Sequence, residues 1–149
     1  MLTRKGKYGL KALVHLAHLP FGQLAFINEI AVTNKIPKKF LDAILGELRN
    51  AGFVQSRKGK GGGYRLARPA SDIIVGHVIR VLDGPLAPIP CASRMGYQRC
   101  EDCEESVCQV RRIMLEVRHA IAEVLDKRTL EEMRDAANDD IAASLKYQA

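Results

Sequence analysis

The sequence predicts a mainly α-helical chain with one small β-hairpin, and three patterns in its 149 residues support this. Apolar residues recur at three- and four-residue steps through several segments, as they do along one face of a helix. Two short β-prone runs, 53–56 and 64–66, flank a tip rich in glycine and cations. Near the C-terminus, a further apolar series has the spacing of a helix pair. These patterns predict a winged helix-turn-helix followed by a long C-terminal dimerisation helix.

The first half of the chain is predicted to contain three helices. The first is expected over residues 2–19 with Thr3 as its N-cap, and the second over 27–34 with Asn28 as its cap. The third is expected to start at Pro37, because proline at a first helical position gives up an N–H that would lack a partner. The inward stripe of the third helix consists of Phe40, Leu41, Ile44, Leu45 and Leu48.

The hairpin tip, residues 57–63, reads RKGKGGG. A glycine-rich loop can also hold a nucleotide phosphate, but these glycines lie between two strands, and Tyr64 stands where the third glycine of G-x-G-x-x-G would be. A P-loop Gly-Lys-Ser/Thr is also missing. A basic hairpin that follows a helix with a basic start is the layout of a DNA-binding wing. A solvated surface hairpin is the alternative.

Eight residues are the candidate DNA contacts on this interpretation. Side chains at the start of a recognition helix reach base edges. Lysine can donate to guanine there, and aspartate can accept from cytosine. Cations of the first helix and of the wing would meet phosphates or the minor groove, although each could equally belong to a solvated basic face. The candidates are Thr3, Arg4, Lys38, Lys39, Asp42, Arg57, Lys58 and Lys60.

Charge divides the chain into two unlike halves. Residues 1–69 carry 13 Lys or Arg and 3 Asp or Glu, a net +10, whereas residues 70–149 carry 10 and 14, a net −4. This split fits a polyanion-binding head joined to a second module, although charge alone would also suit RNA or a membrane surface. Since no run of 18 apolar residues is present, no membrane span is expected. Without the pattern of a cleavable signal, a cytoplasmic protein is expected.

The second half is predicted to contain three more helices. A fourth helix is expected over 73–82, and a long one follows from about Cys108 to Lys127. Thr129 opens the last helix with a capping-box pattern. A seam that pairs two copies is favoured over packing onto the chain's own domain, because a DNA-binding head also calls for two-fold pairing over half-sites. The apolar seam of the long helix, spaced 4, 3, 4, 3, consists of Val110, Met114, Val117, Ile121 and Val124.

These elements define three regions. Residues 1–84 form a winged helix-turn-helix DNA-binding domain, 85–107 a cysteine-bearing sensor loop, and 108–149 the dimerisation helix and C-terminal helix, whose tail is expected to fray. A loop of that length inside a compact chain usually has a function. Because no Ser/His/Asp or Cys/His catalytic arrangement stands out, no enzyme is expected.

All four cysteines, Cys91, Cys100, Cys103 and Cys108, fall in or just after this loop. In a reducing compartment they are poor disulfide candidates. Thiolates suit zinc or an iron–sulfur cluster, but C-x8-C-x2-C-x4-C matches no zinc-finger pattern cleanly. Acidic neighbours are expected to raise the thiol pKa values in the metal-free state. The grouping of these cysteines within eighteen positions predicts a metal centre, with ordinary free cysteines as the alternative.

The chain resembles the IscR/NsrR/CymR (Rrf-type) family of bacterial winged-helix regulators over nearly its whole length. The resemblance is carried by AGFVQS at 51–56, by GGGYRLARP at 61–69, and by the following Ile73…Val78…Leu82-Asp83-Gly84. It implies a dimeric transcription factor, usually a repressor, with a long C-terminal dimerisation helix and double-stranded DNA as its partner.

In many members of this family, three cysteines before and at the start of that helix hold an iron–sulfur cluster. The resemblance implies Cys91 as the first ligand and Cys108 as the last, with Cys100, by family spacing, preferred to Cys103 between them. With a fourth cysteine present, the cluster could be 2Fe–2S or 4Fe–4S, and it would sense iron–sulfur status, nitric oxide or oxidation. The alternatives are a cluster-free regulator that responds to a metabolite or partner protein, and a zinc or redox cysteine protein.

Overall fold

A computed structural model of the chain describes residues 2–139. The tail predicted to fray lies outside these residues. Within them, two antiparallel strands and a set of helices confirm the mainly α class with a hairpin wing. The 3₁₀ turns are Ala70–Asp72 and Pro90–Ala92. The main elements are α1 (Arg4–Ala17), α2 (Ile27–Asn34), α3 (Lys38–Asn50), β1 (Val54–Arg57), β2 (Gly63–Leu66), α4 (Val75–Asp83), α5 (Gln109–Leu125) and α6 (Leu130–Asp139).

The predicted cap of α2 and the predicted start of α4 are wrong, and both for the same physical reason. Asn28 does not cap α2, because Ala25 pairs with Tyr64 through N–H···O bonds of 2.8 and 2.9 Å and the chain stays extended up to Phe26. Likewise α4 begins at 75 and not at 73, since Ile74 forms an extended bridge with Thr129. In α3, Pro37 is the N-cap residue and the helix begins at Lys38, one position after the predicted start.

The core lies where α1, α3 and α4 meet, and α6 closes it. Leu130, the first residue of α6, is fully buried, and its N–H donates to the carbonyl of Ile73 at 2.8 Å. Arg134 of α6 donates to the carbonyl of Ala17 at 3.1 Å. The largest fully buried side chains are Leu13, Ile30, Leu41, Leu45, Leu48, Val54, Ile73, Val78 and Leu130. The core thus joins residues from both ends of the described chain.

Helix α5 differs from every other long helix in the described range, because none of its residues is buried. Its far end is tied to α4 by Arg80, which pairs with both carboxylate oxygens of Asp126 at 2.6 and 2.9 Å. No helix among the described residues is long and apolar enough to cross a membrane. Large apolar side chains that α5 exposes are Val110, Ile113, Val117 and Val124.

Candidate DNA-binding surface and cysteine cluster

The turn between α2 and α3 fixes the direction of the recognition helix. Lys35 takes the left-handed conformation (φ +54°), which stops α2 and lets the N–H of Ile36 reach the carbonyl of Ala31 at 2.9 Å. Asn34 donates from its amide to the carbonyl of Ile30 at 2.9 Å, and Lys11 of α1 donates to the Asn34 carbonyl. Contacts with α1 and α2 thus hold the turn, and the turn sets the direction in which α3 leaves it.

The outer face of α3 carries the predicted base-reading residues. Lys38, Lys39 and Asp42 are all exposed in its first two turns. The inward stripe starts one residue later than predicted: Leu41 is fully buried, but Phe40 is 59% exposed. The prediction that Phe40 packs inward is therefore wrong, because the face that α3 presents to the core is centred on Leu41, Ile44, Leu45 and Leu48.

The wing is a two-stranded hairpin in which Val54 pairs with Leu66 and Arg57 with Gly63. Its tip exposes the cations Arg57, Lys58 and Lys60. At Gly63 (φ +144°) an added Cβ would lie 2.3 Å from the carbonyl oxygen of Ala25, so this position requires glycine. The base of the wing is thereby pressed against the segment that leads into α2.

The N-terminus of α1 lies beside the end of α4. Thr3 caps α1 as predicted, accepting from the N–H of Gly6 at 3.3 Å, while its own N–H donates to Asp83 at 2.8 Å. The Thr3 hydroxyl also donates to Asp83. Arg4, the next candidate, is exposed. Of the eight candidate contacts, Thr3 alone thus uses its side chain in a described hydrogen bond.

Three of the four cysteine thiols meet just before α5. The thiols of Cys100 and Cys108 neighbour that of Cys103 and raise the pKa of Cys103 to about 12. Cys108 is the N-cap of α5: its sulfur accepts from the Arg111 N–H at 3.4 Å, which, together with the Cys103 thiol, lowers the pKa of Cys108. Neighbouring thiols, and not acidic residues as expected, dominate the raised pKa. Cys100 and Cys103 both belong to this group of thiols, so each stays a candidate for the middle ligand.

Cys91 lies apart in the 3₁₀ turn at 90–92, where it is buried. It takes no part in the thiol contacts that set the pKa of Cys103. Arg111 nevertheless connects it to the cluster, because the Arg111 guanidinium donates to the Cys91 carbonyl at 2.9 Å from the first turn of α5. Cys91 is thus held next to the helix start without joining the three thiols.

Glu105 closes the cysteine loop, a role that the sequence did not indicate. One of its carboxylate oxygens accepts from the Cys100 N–H at 2.8 Å and the other from the Tyr97 hydroxyl at 2.6 Å. Both bonds lower the pKa of Glu105, and the bond from Tyr97 contributes most. A carboxylate three residues before a capping cysteine was the available signal, but it could not be told from the other acids of this segment.

The cluster supplies metal donors but is not a finished coordination site. Among the described residues, no group of three or more His, Cys, Asp and Glu side chains is arranged to hold a metal ion. Three adjacent thiols are, however, the donor chemistry that zinc and iron–sulfur clusters use. The donor set fits such a group chemically, and the cysteines would need to adjust to bind it.

A helix-turn-helix with a basic wing, followed by an uncovered long helix, defines a transcriptional regulator of the winged-helix class. The chain belongs to the Rrf2 family, described as iron-dependent transcriptional regulators, which it matches over residues 2–136. It is 43% identical to the rrf2-like HTH-type transcriptional regulator of Rhodobacter capsulatus over 142 residues, or 93% of this chain and 95% of that one. Its known relatives are thus regulators and not enzymes.

Two solved structures carry the same fold at substantial identity. CymR, the global cysteine regulator of B. subtilis, superposes with a TM-score of 0.75 at 34% identity, covering 91% of this chain and 97% of the other. IscR of T. potens gives a TM-score of 0.70 at 33% identity, with 92% and 88% covered. The resemblance inferred from the sequence motifs is thereby confirmed.

Proposed function

We propose that this chain is a homodimeric repressor that binds operator DNA through α3 and the wing, and that its cysteine loop holds an iron–sulfur cluster that sets DNA affinity. The observation that carries the proposal is the meeting of the Cys100, Cys103 and Cys108 thiols at the N-terminus of α5. At this point the loop that follows the DNA-binding head joins the helix proposed to pair with a second copy. A change in the loop can act on both.

Exposure and charge support the DNA-binding part of the proposal. The basic half of the chain folds so that Lys38, Lys39, Lys58 and Lys60 all face solvent. Neither lysine of α3 takes part in an ion pair among residues 2–139. Cations without carboxylate partners are free to neutralise phosphates, and release of DNA counterions then drives binding.

The uncovered face of α5 supports the dimer. Val110 and Val117, two of the predicted seam residues, are 63% and 38% exposed, although β-branched apolar side chains favour burial. A second copy of the same helix would cover both stripes about a two-fold axis, which places two heads on one duplex. The proposed division of the chain into a DNA-binding head, a sensor loop and a dimerisation region depends on this pairing of α5 with its copy.

The residues that would hold the cluster are Cys100, Cys103 and Cys108, with Cys91 as the nearest further thiol. When bound, an iron–sulfur cluster supplies iron that reacts with oxidants and nitric oxide. Thiols coordinate as thiolates, so metal binding would displace a proton from Cys103, whose neighbours raise its pKa. Glu105 holds the backbone of Cys100 in place, and the Cys108 sulfur already faces the start of α5.

Contacts at both ends of α5 provide a route from the loop to the head. Arg111 ties the first turn of α5 to the Cys91 turn, and Asp126 at the other end holds Arg80 of α4. A loop ordered by ligand binding would fix α5 relative to α4 and hence the spacing of the two heads. DNA affinity would then change by the difference in stability between the two arrangements.

Anaerobic purification with iron, sulfide and zinc analysis tests the cluster. We expect a coloured, iron-loaded protein whose iron is lost in Cys100→Ser, Cys103→Ser and Cys108→Ser, and whose operator affinity changes with it. Ser106→Ala, a change at an exposed site in the same loop, is the matched control and should keep the iron. Full iron content in all three cysteine variants would contradict the ligand assignment.

Salt dependence tests the DNA interface. Replacing Lys58 and Lys60 by Ala should lower the slope of log K against log salt by about 2, because each phosphate contact contributes about one unit. Lys127→Ala is the control, since that lysine is exposed at the far end of α5 and pairs with Glu123. An unchanged slope in the double variant would remove the wing from the interface.

A cluster-free thiol or metabolite response is the second candidate. The lack of a finished metal geometry within residues 2–139 and the structural likeness to CymR favour it. A colourless protein without bound metal whose operator affinity responds to a small thiol or amino acid would select this candidate over the iron–sulfur proposal.

A further inference from the structure

Phe40 stands out on the recognition helix as an aromatic side chain that the fold does not use. It is the third residue of α3 and is 59% exposed. It is not among the partly buried apolar side chains that pack against the core. Its sequence neighbours Lys38 and Lys39 are exposed cations. An apolar group on so basic a surface fits a partner that is both polyanionic and locally apolar.

The major groove of DNA offers such a feature in one base only. Each thymine carries a C5-methyl group on its groove edge, whereas the other bases present hydrogen-bonding groups there. The first turns of a recognition helix are the part that lies deepest in the groove. We propose, resting on the DNA-binding function above, that Phe40 contacts a thymine methyl in each operator half-site and is a specificity-determining residue.

The position of Phe40 on the same helix as the polar candidates supports this assignment. Asp42 lies two residues further along the exposed part of α3, where its carboxylate can accept from a cytosine. Because side chains two apart on a helix point to opposite sides, Phe40 lies on one flank of the exposed face of α3 and Asp42 on the other. Polar and apolar readout would then come from one helical turn, and neighbouring bases would be read by different chemistry.

Deoxyuridine scanning tests the contact directly. Operator duplexes selected by the full-length, anaerobically purified protein from a random pool are remade with one thymine at a time replaced by deoxyuridine. This removes the methyl group and leaves base pairing unchanged. We expect one position per half-site at which wild-type affinity falls about fourfold, the effect of losing one buried methyl-sized group.

Two alanine variants test whether Phe40 is the residue that contacts the thymine methyl. Phe40→Ala should bind thymine and deoxyuridine duplexes equally at that position while keeping the other responses. Phe21→Ala, in the turn after α1 where the side chain is 65% exposed, should retain the wild-type pattern. Because both side chains are exposed, neither change should shift the unfolding temperature, which is measured alongside.

Two results would overturn the inference, and they are distinguishable from failure of the proposed function. A wild-type scan with no sensitive position, or a Phe40→Ala scan identical to wild type, removes the methyl contact while salt-dependent selective binding persists. No selective DNA binding in any state of the protein would remove both the contact and the proposed function.

Discussion

The DNA-binding head buries its large apolar side chains, whereas helix α5 of the same chain exposes them. In the head, long apolar side chains such as Leu13, Leu41 and Leu45 are fully buried. In α5 no residue is buried, and Val124 is 58% exposed. The difference shows that the head and α6 form a closed core within one chain, whereas α5 exposes the apolar face that we propose a second copy covers.

Adding a charge to the uncovered face of α5 is expected to have the largest effect on this comparison. Val117→Asp would place a carboxylate in the proposed seam of both copies, where desolvation and like-charge repulsion oppose pairing. We expect the dimer dissociation constant to rise at least about a hundredfold, close to 3 kcal/mol. Analytical ultracentrifugation over a dilution series measures it.

Glu116→Ala, at the neighbouring exposed position, is the control and should leave the dimer intact. The head should stay folded in Val117→Asp, since α5 buries none of its side chains within the chain. If wild-type protein sediments as a monomer at all concentrations, α5 is not the seam, and the exposed stripe needs another partner.

The same contrast explains what the sequence could predict. Short-range signals succeeded: α2 spans 27–34 as predicted, and the Thr129 capping box forms, with the Glu132 N–H donating to the Thr129 hydroxyl at 3.1 Å. Each depends on residues within one or two turns. The mainly helical class and the regulator family followed from periodicity and from the motif around the wing.

Long-range contacts account for the failures. The Ala25–Tyr64 bridge accounts for the wrong cap of α2 and the Ile74–Thr129 bridge for the late start of α4, and both join residues tens of positions apart that no periodicity connects. The cysteine spacing predicted donors for a metal but not which of them meet. Cys91 is held apart by the 3₁₀ turn at 90–92, so the close-spaced trio forms without it.

Two glycines of the wing test how rigidly the backbone of the head is held. Gly63→Ala would place a Cβ 2.3 Å from the Ala25 carbonyl at φ +144°, whereas Gly61→Ala, at φ +78°, meets open space. We expect Gly63→Ala to cost about 3 kcal/mol of unfolding free energy and Gly61→Ala about 1, because only the first adds a backbone collision to the strain. Urea denaturation compares the pair.

Operator affinity should follow the same order, since displacement of the base of the wing also moves its tip. Equal costs for the two glycine variants would show that the wing base yields without strain. In that case, the head would be less rigid than its close packing indicates.

The smallest expected effect lies at the joint between the two regions. Hydrogen bonds from Arg80 lower the pKa of Asp126, so this carboxylate stabilises the fold above its unfolded-state pKa of about 3.9 and loses that effect as pH falls through the lower folded-state value. Asp126 is 37% exposed, and solvent screening limits its contribution to at most about 1 kcal/mol at neutral pH. Asp126→Asn should lose this amount.

The stability difference between wild type and Asp126→Asn should therefore be constant from pH 5 to 8 and shrink in more acidic buffer. Glu123→Gln, which breaks the local pair between Glu123 of α5 and Lys127 just beyond its end, is the control and should cost less because that pair joins no second helix. A loss of operator response in Asp126→Asn at unchanged iron content would show that the joint transmits the signal. An unchanged response would assign that transmission to the Arg111 contact at the other end of α5.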